Sequence, residues 1–381
     1  MITLVFVLIL LYGLLILTFI WGFSRLKECE LKAAPPLHSF SVLVVFRNEE
    51  AQLKKLLDHF NKLDYPKENF EIILIDDAST DGSLSMARQL KTEISQLNIR
   101  ILENKPWSAA PKKDALEAGV NTANFQWIVT TDADCSFSKD WLKSYDQYLQ
   151  YNRTKFIAGP VISSSNGSFI HRFQVLDFLS LQGATMGTFG YDSENTLIKP
   201  FMCNGANLCY SKESFQELKG YDGNKHLGSG DDVFLLEKIQ RHYPDQIRFL
   251  KSREAIVNTQ PKNTWKDLIE QRIRWASKAS AYKIAFGKIT GLIVLLANFS
   301  LVILFFAAFT DTVSWTSLGV IFLIKFNIDF VMIFRSASFF NQKDVLRSFL
   351  ASSLLYPFFT VVVAVFSLRG SYQWKGRSFS K

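Results

Sequence analysis

Four long apolar blocks dominate the pattern of hydrophobic and polar positions along this chain. The blocks run from Ile2 to Phe23, from Ile289 to Phe309, from Val313 to Phe334 and from Phe349 to Leu368. A helix needs about 20 apolar residues to cross the hydrocarbon core of a bilayer. The pattern therefore predicts an N-terminal transmembrane anchor over residues 1–24 and a C-terminal membrane region of two or three spans over residues 288–368.

Between the first two blocks the pattern becomes that of a globular domain, over residues 38–262. Short apolar runs typical of buried strands occur at Ser39–Phe46, Phe70–Ile75, Ile99–Leu102 and Gln126–Thr131. Helical patterns separate these runs, and alternating strands and helices of this size predict an α/β domain with a mostly parallel sheet. Ligands of such sheets bind at the carboxyl ends of the strands.

A third pattern lies between the globular domain and the C-terminal blocks. Residues 263–287 form an interfacial segment in which an amphipathic helix is expected from Trp265 to Phe286. Apolar side chains recur on one face of this segment, and it contains the sequence Gln271-Arg272-Ile273-Arg274-Trp275. Arginine and tryptophan both favour the depth of the lipid headgroups, so a helix lying on the membrane surface is one interpretation of this segment.

The distribution of basic residues predicts how the chain is oriented in the membrane. Basic residues follow the first apolar block, beginning with Arg25 and Lys27, and none precedes it. The positive-inside rule then places the globular domain in the cytoplasm of a multi-pass cell-membrane protein. Three further spans would put the basic tail, residues 369–381, on the other side, against the same rule. Either one C-terminal segment is re-entrant or interfacial, or the tail is an exception to the rule, and we favour a cytoplasmic tail.

The net charge of +8 and the four cysteines exclude other classes. No helix or loop combines a Lys/Arg stripe with the aromatic spacing of a nucleic-acid module, so nucleic acid is not an expected partner. Much of the basic surplus flanks the apolar blocks and extends into the tail as Lys375 and Arg377. We attribute it to topology and anionic lipid headgroups. The cysteines have no metal-ligand spacing and are expected to be reduced thiols.

Carboxylates follow the predicted strands. Asp76-Asp77 ends the second strand, and Asp132-Ala133-Asp134 ends the fourth. Further along the chain, Gly230-Asp231-Asp232 places two more acids after a glycine. Acids at strand ends can share a hard cation with bound phosphates, because Mg²⁺ and Mn²⁺ prefer oxygen ligands.

These motifs, in this order, resemble glycosyltransferase family 2. The resemblance rests on Val44–Glu50, on Ile75–Ser83, on Thr131-Asp132-Ala133-Asp134, on Gly230-Asp231-Asp232 and on the Gln-x-x-Arg-Trp segment. The last two are similar to motifs of the membrane-bound branch, which includes cellulose, chitin and hyaluronan synthases. Membership implies a Rossmann-like fold of the GT-A type and inverting transfer from a nucleotide-sugar. The resemblance covers roughly residues 40 to 280 and the flanking helices.

The resemblance also implies roles for individual residues. The residues implied to bind the nucleotide are Glu49, Asp77, Lys112 and Asp132, with Asp77 on the uridine. Asp132 and Asp134 are implied to hold a divalent cation, Mg²⁺ or Mn²⁺, beside the diphosphate. Asp232 is implied to be the catalytic base, which takes the proton from the acceptor hydroxyl. The residues implied to bind donor or acceptor are Asp231, Asn204, Asn207, Gln271, Arg274 and Trp275.

The sequence thus predicts a membrane enzyme with a nucleotide-sugar donor and a lipid or glycan acceptor. Two alternatives stay open. A processive polysaccharide synthase fits the branch, but about four helices are few for a polymer channel unless a homo-oligomer or an export partner contributes. A non-catalytic nucleotide- or glycan-binding subunit of an export complex predicts degraded acids, whereas this chain keeps Asp77, Asp132, Asp134 and Asp232.

Overall fold

The computed structural model describes residues 2–191, 196–278, 281–368 and 371–380. It divides into two compact units. A sheet unit comprises Lys27–Ile162, Met202–Gln260 and Gln373–Lys381, and a helical unit comprises Met1–Leu26, Ser163–Phe201 and Pro261–Tyr372.

The strands, in chain order, are β1 Phe40–Phe46, β2 Phe70–Asp76, β3 Ile99–Glu103, β4 Trp127–Asp132, β5 Ser136–Phe137, β6 Phe156–Ala158, β7 Val161–Ser163, β8 Leu208–Ser211, β9 Ile247–Phe249, β10 Val257–Thr259, β11 Ser371–Trp374 and β12 Arg377–Ser380. The main sheet has the order β3-β2-β1-β4-β8-β6-β9. Its first four strands are parallel, and β8 is antiparallel to both of its neighbours. The predicted mostly parallel α/β sheet is confirmed.

The helices are α1 Ile2–Arg25, α2 Glu50–Asn61, α3 Ser83–Glu93, α4 Pro111–Thr122, α5 Trp141–Tyr151, α6 Phe169–Phe189, α7 Lys212–Glu217, α8 Asp231–His242, α9 Trp265–Ser277, α10 Ala285–Phe309, α11 Trp315–Phe339 and α12 Phe349–Ser367. Helix α9 ends at Ser277, short of the predicted Phe286, and a new helix begins at Ala285.

The central strands explain how the acids come together. All seven residues of β2 are buried, as expected for a strand covered on both faces by helices. Strand β1 lies between β2 and β4, with Phe46 opposite Asp76 and Val45 opposite Asp132. This register brings the carboxyl ends of β2 and β4 to one edge of the sheet.

In the helical unit, α1 packs closely against α6. A Cβ atom at Gly22 would collide with the carbonyl oxygen of Gly187, and one at Gly190 would collide with that of Gly22. Small residues let helix backbones approach in this way, as is common between membrane helices. Most residues of α6 are buried, so it is a core helix of the helical unit.

Within the described ranges, four segments are long and apolar enough to cross a membrane: Ile2–Arg25, Ala285–Phe309, Trp315–Phe339 and Lys343–Ser367. In the middle of helix α11, the side chains of Lys325 and Asp329 pair at 2.7 Å. Tyr12 of α1 donates a hydrogen bond of 2.5 Å to Asp329. These two charges therefore neutralise each other within the helical unit.

Candidate functional site

The end of β2 presents a buried carboxylate. The backbone N–H of Asp77 donates to the carbonyl of Phe46 at 2.8 Å, and only 1% of Asp77 is exposed. The side-chain amide of Asn104 donates to Asp77 Oδ1 at 3.0 Å. The next residue, Ala78, has φ of +53°, a left-handed conformation that costs energy for a residue with a Cβ atom. Such backbone strain is found most often at functional sites.

Lys112 joins two of the predicted acids. It lies in the first turn of α4, and its Nζ is 3.0 Å from Asp132 Oδ1 and 3.5 Å from Asp231 Oδ2. Burial disfavours the charge on this lysine, but the negative charges of Asp132 and Asp231 outweigh burial and raise the pKa of Lys112 above its ordinary value. Lys112 is therefore a permanent cation between the end of β4 and the start of α8.

Asp132 and Asp134 are half-buried at the end of β4. In the described part of the chain, no group of three or more His, Cys, Asp or Glu side chains converges as a metal site would require. Two carboxylates with hard oxygen donors still fit a divalent cation whose remaining ligands come from phosphate and water.

Asp231 and Asp232 begin α8. The preceding Gly230 has φ of +85°, which glycine adopts without strain and which turns the chain into the helix. Asp232 accepts hydrogen bonds from the N–H of Val233 at 2.8 Å and of Gly205 at 3.3 Å. Gly205 is in turn tied to β4, because Thr130 Oγ1 donates to its carbonyl at 2.7 Å. The second acid is thus fixed beside the strand that carries Asp132.

The structure separates the two asparagines predicted to bind donor or acceptor. Asn204 caps a turn, with its Oδ1 accepting from the N–H of Ala206 at 3.0 Å, and is partly exposed. Asn207 is fully buried. Its four side-chain hydrogen bonds, each of 2.8 or 2.9 Å, join Trp141, Tyr145, Pro160 and Ala255. Because these bonds occupy Asn207 inside the core, the predicted contact with an acceptor does not fit its position.

The C-terminal tail carries site residues that the sequence reasoning missed. Strands β11 and β12 form a hairpin, and Arg377 Nη1 lies 2.6 Å from Asp77 Oδ2. Lys375 Nζ lies 2.5 Å from Glu49 Oε1, so the side chain of the predicted nucleotide-binding Glu49 is paired with the tail. The attribution of these two basic residues to topology and lipid headgroups is therefore wrong, because both pair with acids of the sheet unit.

Two further contacts hold the hairpin in the sheet unit. Phe379 is buried against Gly228, where a Cβ atom would collide with the phenyl ring. Arg47 donates to the carbonyls of Lys375 at 3.2 Å and of Asp77 at 2.8 Å. The hairpin thus contacts both the β2 end and the Gly228–Gly230 segment that precedes the α8 acids.

The sequence contains one weak signal for this hairpin, the pair Lys375-Gly376. In the structure these two residues have φ of +47° and +75°, as in the two-residue type I′ turns that join hairpin strands. Lysine is an uncommon first residue of such a turn, where asparagine or aspartate is preferred, so the signal was weak.

Gln271, Arg274 and Trp275 lie on α9 of the helical unit. The ring of Trp275 makes an edge contact with Phe178 of α6 at 5.9 Å between centroids. Thr264 caps the start of α9 by accepting from the N–H of Asp267 at 3.1 Å. The motif therefore lies on a regular, capped helix.

Comparison with known proteins identifies the family. The sequence model described as Glycosyl transferase family 2 matches residues 41–218. Glycosyltransferase AglE of Haloferax volcanii is 30% identical over 236 residues, which cover 61% of this chain and 70% of that protein. A dolichyl N-acetyl-alpha-D-glucosaminyl phosphate 3-beta-D-2,3-diacetamido-2,3-dideoxy-beta-D-glucuronosyltransferase of Methanococcus voltae is 30% identical over 108 residues, 28% of this chain and 33% of that protein.

A solved structure bears out the fold. It is the mannosyltransferase PcManGT from Pyrobaculum calidifontis in complex with GDP-Man and Mn²⁺, which superposes with a TM-score of 0.60 at 17% identity over 93% of this chain and 98% of that one. The likeness shows a GT-A-like fold. Together with the match to AglE, it leads to one conclusion: the chain belongs to glycosyltransferase family 2.

Proposed function

We propose that this chain is an integral-membrane, inverting glycosyltransferase that transfers a sugar from a nucleotide-diphosphate sugar to a lipid or glycan acceptor at the cytoplasmic face of the membrane. The observation that carries the proposal is the charged cluster at one edge of the sheet. There Lys112 contacts both Asp132 and Asp231, while Asp232 is held beside β4.

In this proposal, different residues of this sheet edge bind the nucleoside and the diphosphate. Asp77 receives the nucleoside, which we take to be uridine, and Lys112 faces the diphosphate as a fixed positive charge. Asp132 and Asp134 would hold a divalent cation, which would neutralise the charge that the departing nucleoside diphosphate gains. Neutralisation by fixed groups lowers the barrier because no solvent has to reorganise during the step.

Asp232 acts as the general base. It takes the proton from the acceptor hydroxyl while the acceptor oxygen forms a bond to the anomeric carbon. The bond between that carbon and the diphosphate breaks on the opposite face, so the anomeric configuration inverts. The Asp231 carboxylate lies 3.5 Å from Lys112 Nζ, and the Asp232 carboxylate accepts from the backbone N–H groups of Val233 and Gly205.

A membrane acceptor is supported by two observations. Among the described residues, four segments are long and apolar enough to cross a bilayer. In addition, the name of the Methanococcus voltae relative contains a dolichyl N-acetyl-alpha-D-glucosaminyl phosphate. A lipid acceptor would reach the enzyme from the bilayer, and single transfer onto it needs no channel for a polymer.

Membranes containing the chain would be incubated with labelled UDP- and GDP-sugars and with Mn²⁺ or Mg²⁺, and membranes with Asp232→Asn would give the background. We expect transfer of one sugar to an organic-extractable product, with loss of activity in EDTA and recovery on adding metal. A product that lengthens with time from one donor would instead indicate a processive synthase. Absence of transfer and hydrolysis with every donor, in folded protein, would refute the proposal.

A further inference from the structure

The helical unit contains a buried ion pair between α6 and α9. Arg272 donates to Asp177 Oδ2 through Nε at 2.7 Å and through Nη2 at 2.6 Å. The exposed fractions of the two side chains are only 7% and 5%. The other carboxylate oxygen, Oδ1, accepts from the hydroxyl of Tyr356 in α12 at 3.2 Å. Asp177 is thus bonded to two other helices of the unit.

The rest of the Arg272 guanidinium faces two residues of the Gln-x-x-Arg-Trp segment. Its Nη1 donates to Gln271 Oε1 at 2.5 Å, and its central carbon lies 4.2 Å from the centre of the Trp275 ring. Arg272 and Trp275 are three positions apart, which places them on the same face of a helix. The indole also makes an edge contact with Phe178, which follows Asp177 in α6.

Helix α9 is also held by apolar contacts. Of its 13 residues, the buried ones are Leu268, Arg272 and Ser277. Leu268 packs into an apolar cluster with Phe173 and Phe359. Apolar contacts of this kind hold a helix in place but define its rotation only weakly, whereas a planar guanidinium bonded through three of its nitrogens has one orientation.

We propose that Asp177 and Arg272 are positioning residues, which set the orientation of Gln271 and Trp275 for binding of the donor or acceptor. The inference rests on the proposed function for the identity of the substrate. The orientation of Gln271 and Trp275 by the ion pair does not depend on that function. Lysine could replace Arg272 only as a charge, because it has a single nitrogen and no flat face for the indole. The arginine is therefore required for its shape as well as its charge.

The decisive variant replaces the whole pair, Asp177→Leu with Arg272→Met. A buried ion pair can often be exchanged for apolar residues without loss of stability, whereas removal of one partner leaves an uncompensated charge. The matched control exchanges the ion pair of α11, Lys325→Met with Asp329→Leu, which lies on a different helix from Gln271 and Trp275. Should the pair variant fail to fold, Arg272→Lys replaces it, since the ion pair is kept and only the planar contacts are lost.

We expect kcat/KM to fall at least tenfold in the pair variant and to stay within threefold of wild type in the control. Trp275→Ala should lower kcat/KM strongly in the wild-type background but less than twofold in the pair variant, because the indole is already misplaced there. Equal losses from Trp275→Ala in both backgrounds, or full activity of the pair variant, would overturn the inference.

A second measurement needs no activity and so separates this inference from the proposed function. The fluorescence of Trp275 is obtained as the difference between the protein and its Trp275→Phe variant. We expect this difference spectrum to change in the pair variant and in Arg272→Lys, and to be unchanged in the control. An unchanged spectrum in all of them would refute the positioning role even if transfer is found.

Discussion

Replacing the proposed base, Asp232→Asn, separates catalysis from structure at one position. The carboxylate accepts two backbone hydrogen bonds, from Val233 at 2.8 Å and from Gly205 at 3.3 Å. Asparagine keeps one acceptor oxygen, so about one bond is lost, worth about 1 kcal/mol. Loss of a negative charge in the first turn of α8 costs about 0.3–1 kcal/mol more. The free energy of unfolding should therefore fall by at most about 2 kcal/mol.

The expected effect on rate is larger. General-base catalysis contributes about 10²- to 10⁴-fold, which corresponds to about 3–5 kcal/mol of activation free energy. The assay compares initial transfer rates at saturating donor and acceptor with the thermal unfolding of the same preparations. Asp231→Asn is the matched control, because it removes the neighbouring acid that pairs with Lys112, and its kcat should fall less than tenfold.

Two results would refute this reasoning. If Asp232→Asn keeps kcat within threefold of wild type, Asp232 only supports the start of α8. If activity falls in proportion to the loss of folded protein, the effect is structural. A greater loss of kcat in Asp231→Asn than in Asp232→Asn would assign the base to Asp231 instead.

Three further predictions concern other parts of the sheet unit. Lys112→Met should raise the dissociation constant of the nucleoside diphosphate about tenfold, because Asp132 and Asp231 would face the phosphates without a cation between them. Isothermal titration calorimetry tests this, and an unchanged affinity would contradict it. Asn207→Ala should lower the free energy of unfolding by about 4 kcal/mol, since four buried partners lose their bonds; loss of acceptor affinity in stable protein would contradict the structural role. Arg377→Ala and Asp77→Asn should each destabilise the protein. In a double-mutant cycle followed by thermal unfolding, the two substitutions should show about 1–3 kcal/mol of coupling free energy. Purely additive effects would mean that the hairpin does not hold Asp77.

The parallel sheet and its acidic edge were predictable because their signals are local. Strand β2 has an unbroken apolar run that ends at Asp76-Asp77, and parallel strands bring such ends to one edge. The same kind of signal located the membrane-length blocks to within a few residues.

The environment of single side chains was not predictable in this way. The partners of Asn207 come from residues 141, 145, 160 and 255, and nothing in the local pattern indicates that these converge. The pairing of Arg377 with Asp77 joins residues 300 positions apart. Long-range polar contacts of this kind depend on the assembled fold. For this reason the position of Arg377 near the membrane segments suggested binding to lipid headgroups, whereas the structure shows a contact with Asp77.

The contact between the hairpin and Asp77 has a consequence for how often the chain crosses the bilayer. In the proposed membrane protein, the hairpin and the rest of the sheet unit would lie on the same face of the membrane, because Arg377 bonds directly to Asp77. The chain between them would then cross the bilayer an even number of times. Three apolar helices, α10, α11 and α12, lie in that stretch, so at least one of them would enter and leave on the same face. If α1 crosses once, the residue that precedes it would lie on the opposite face from the hairpin.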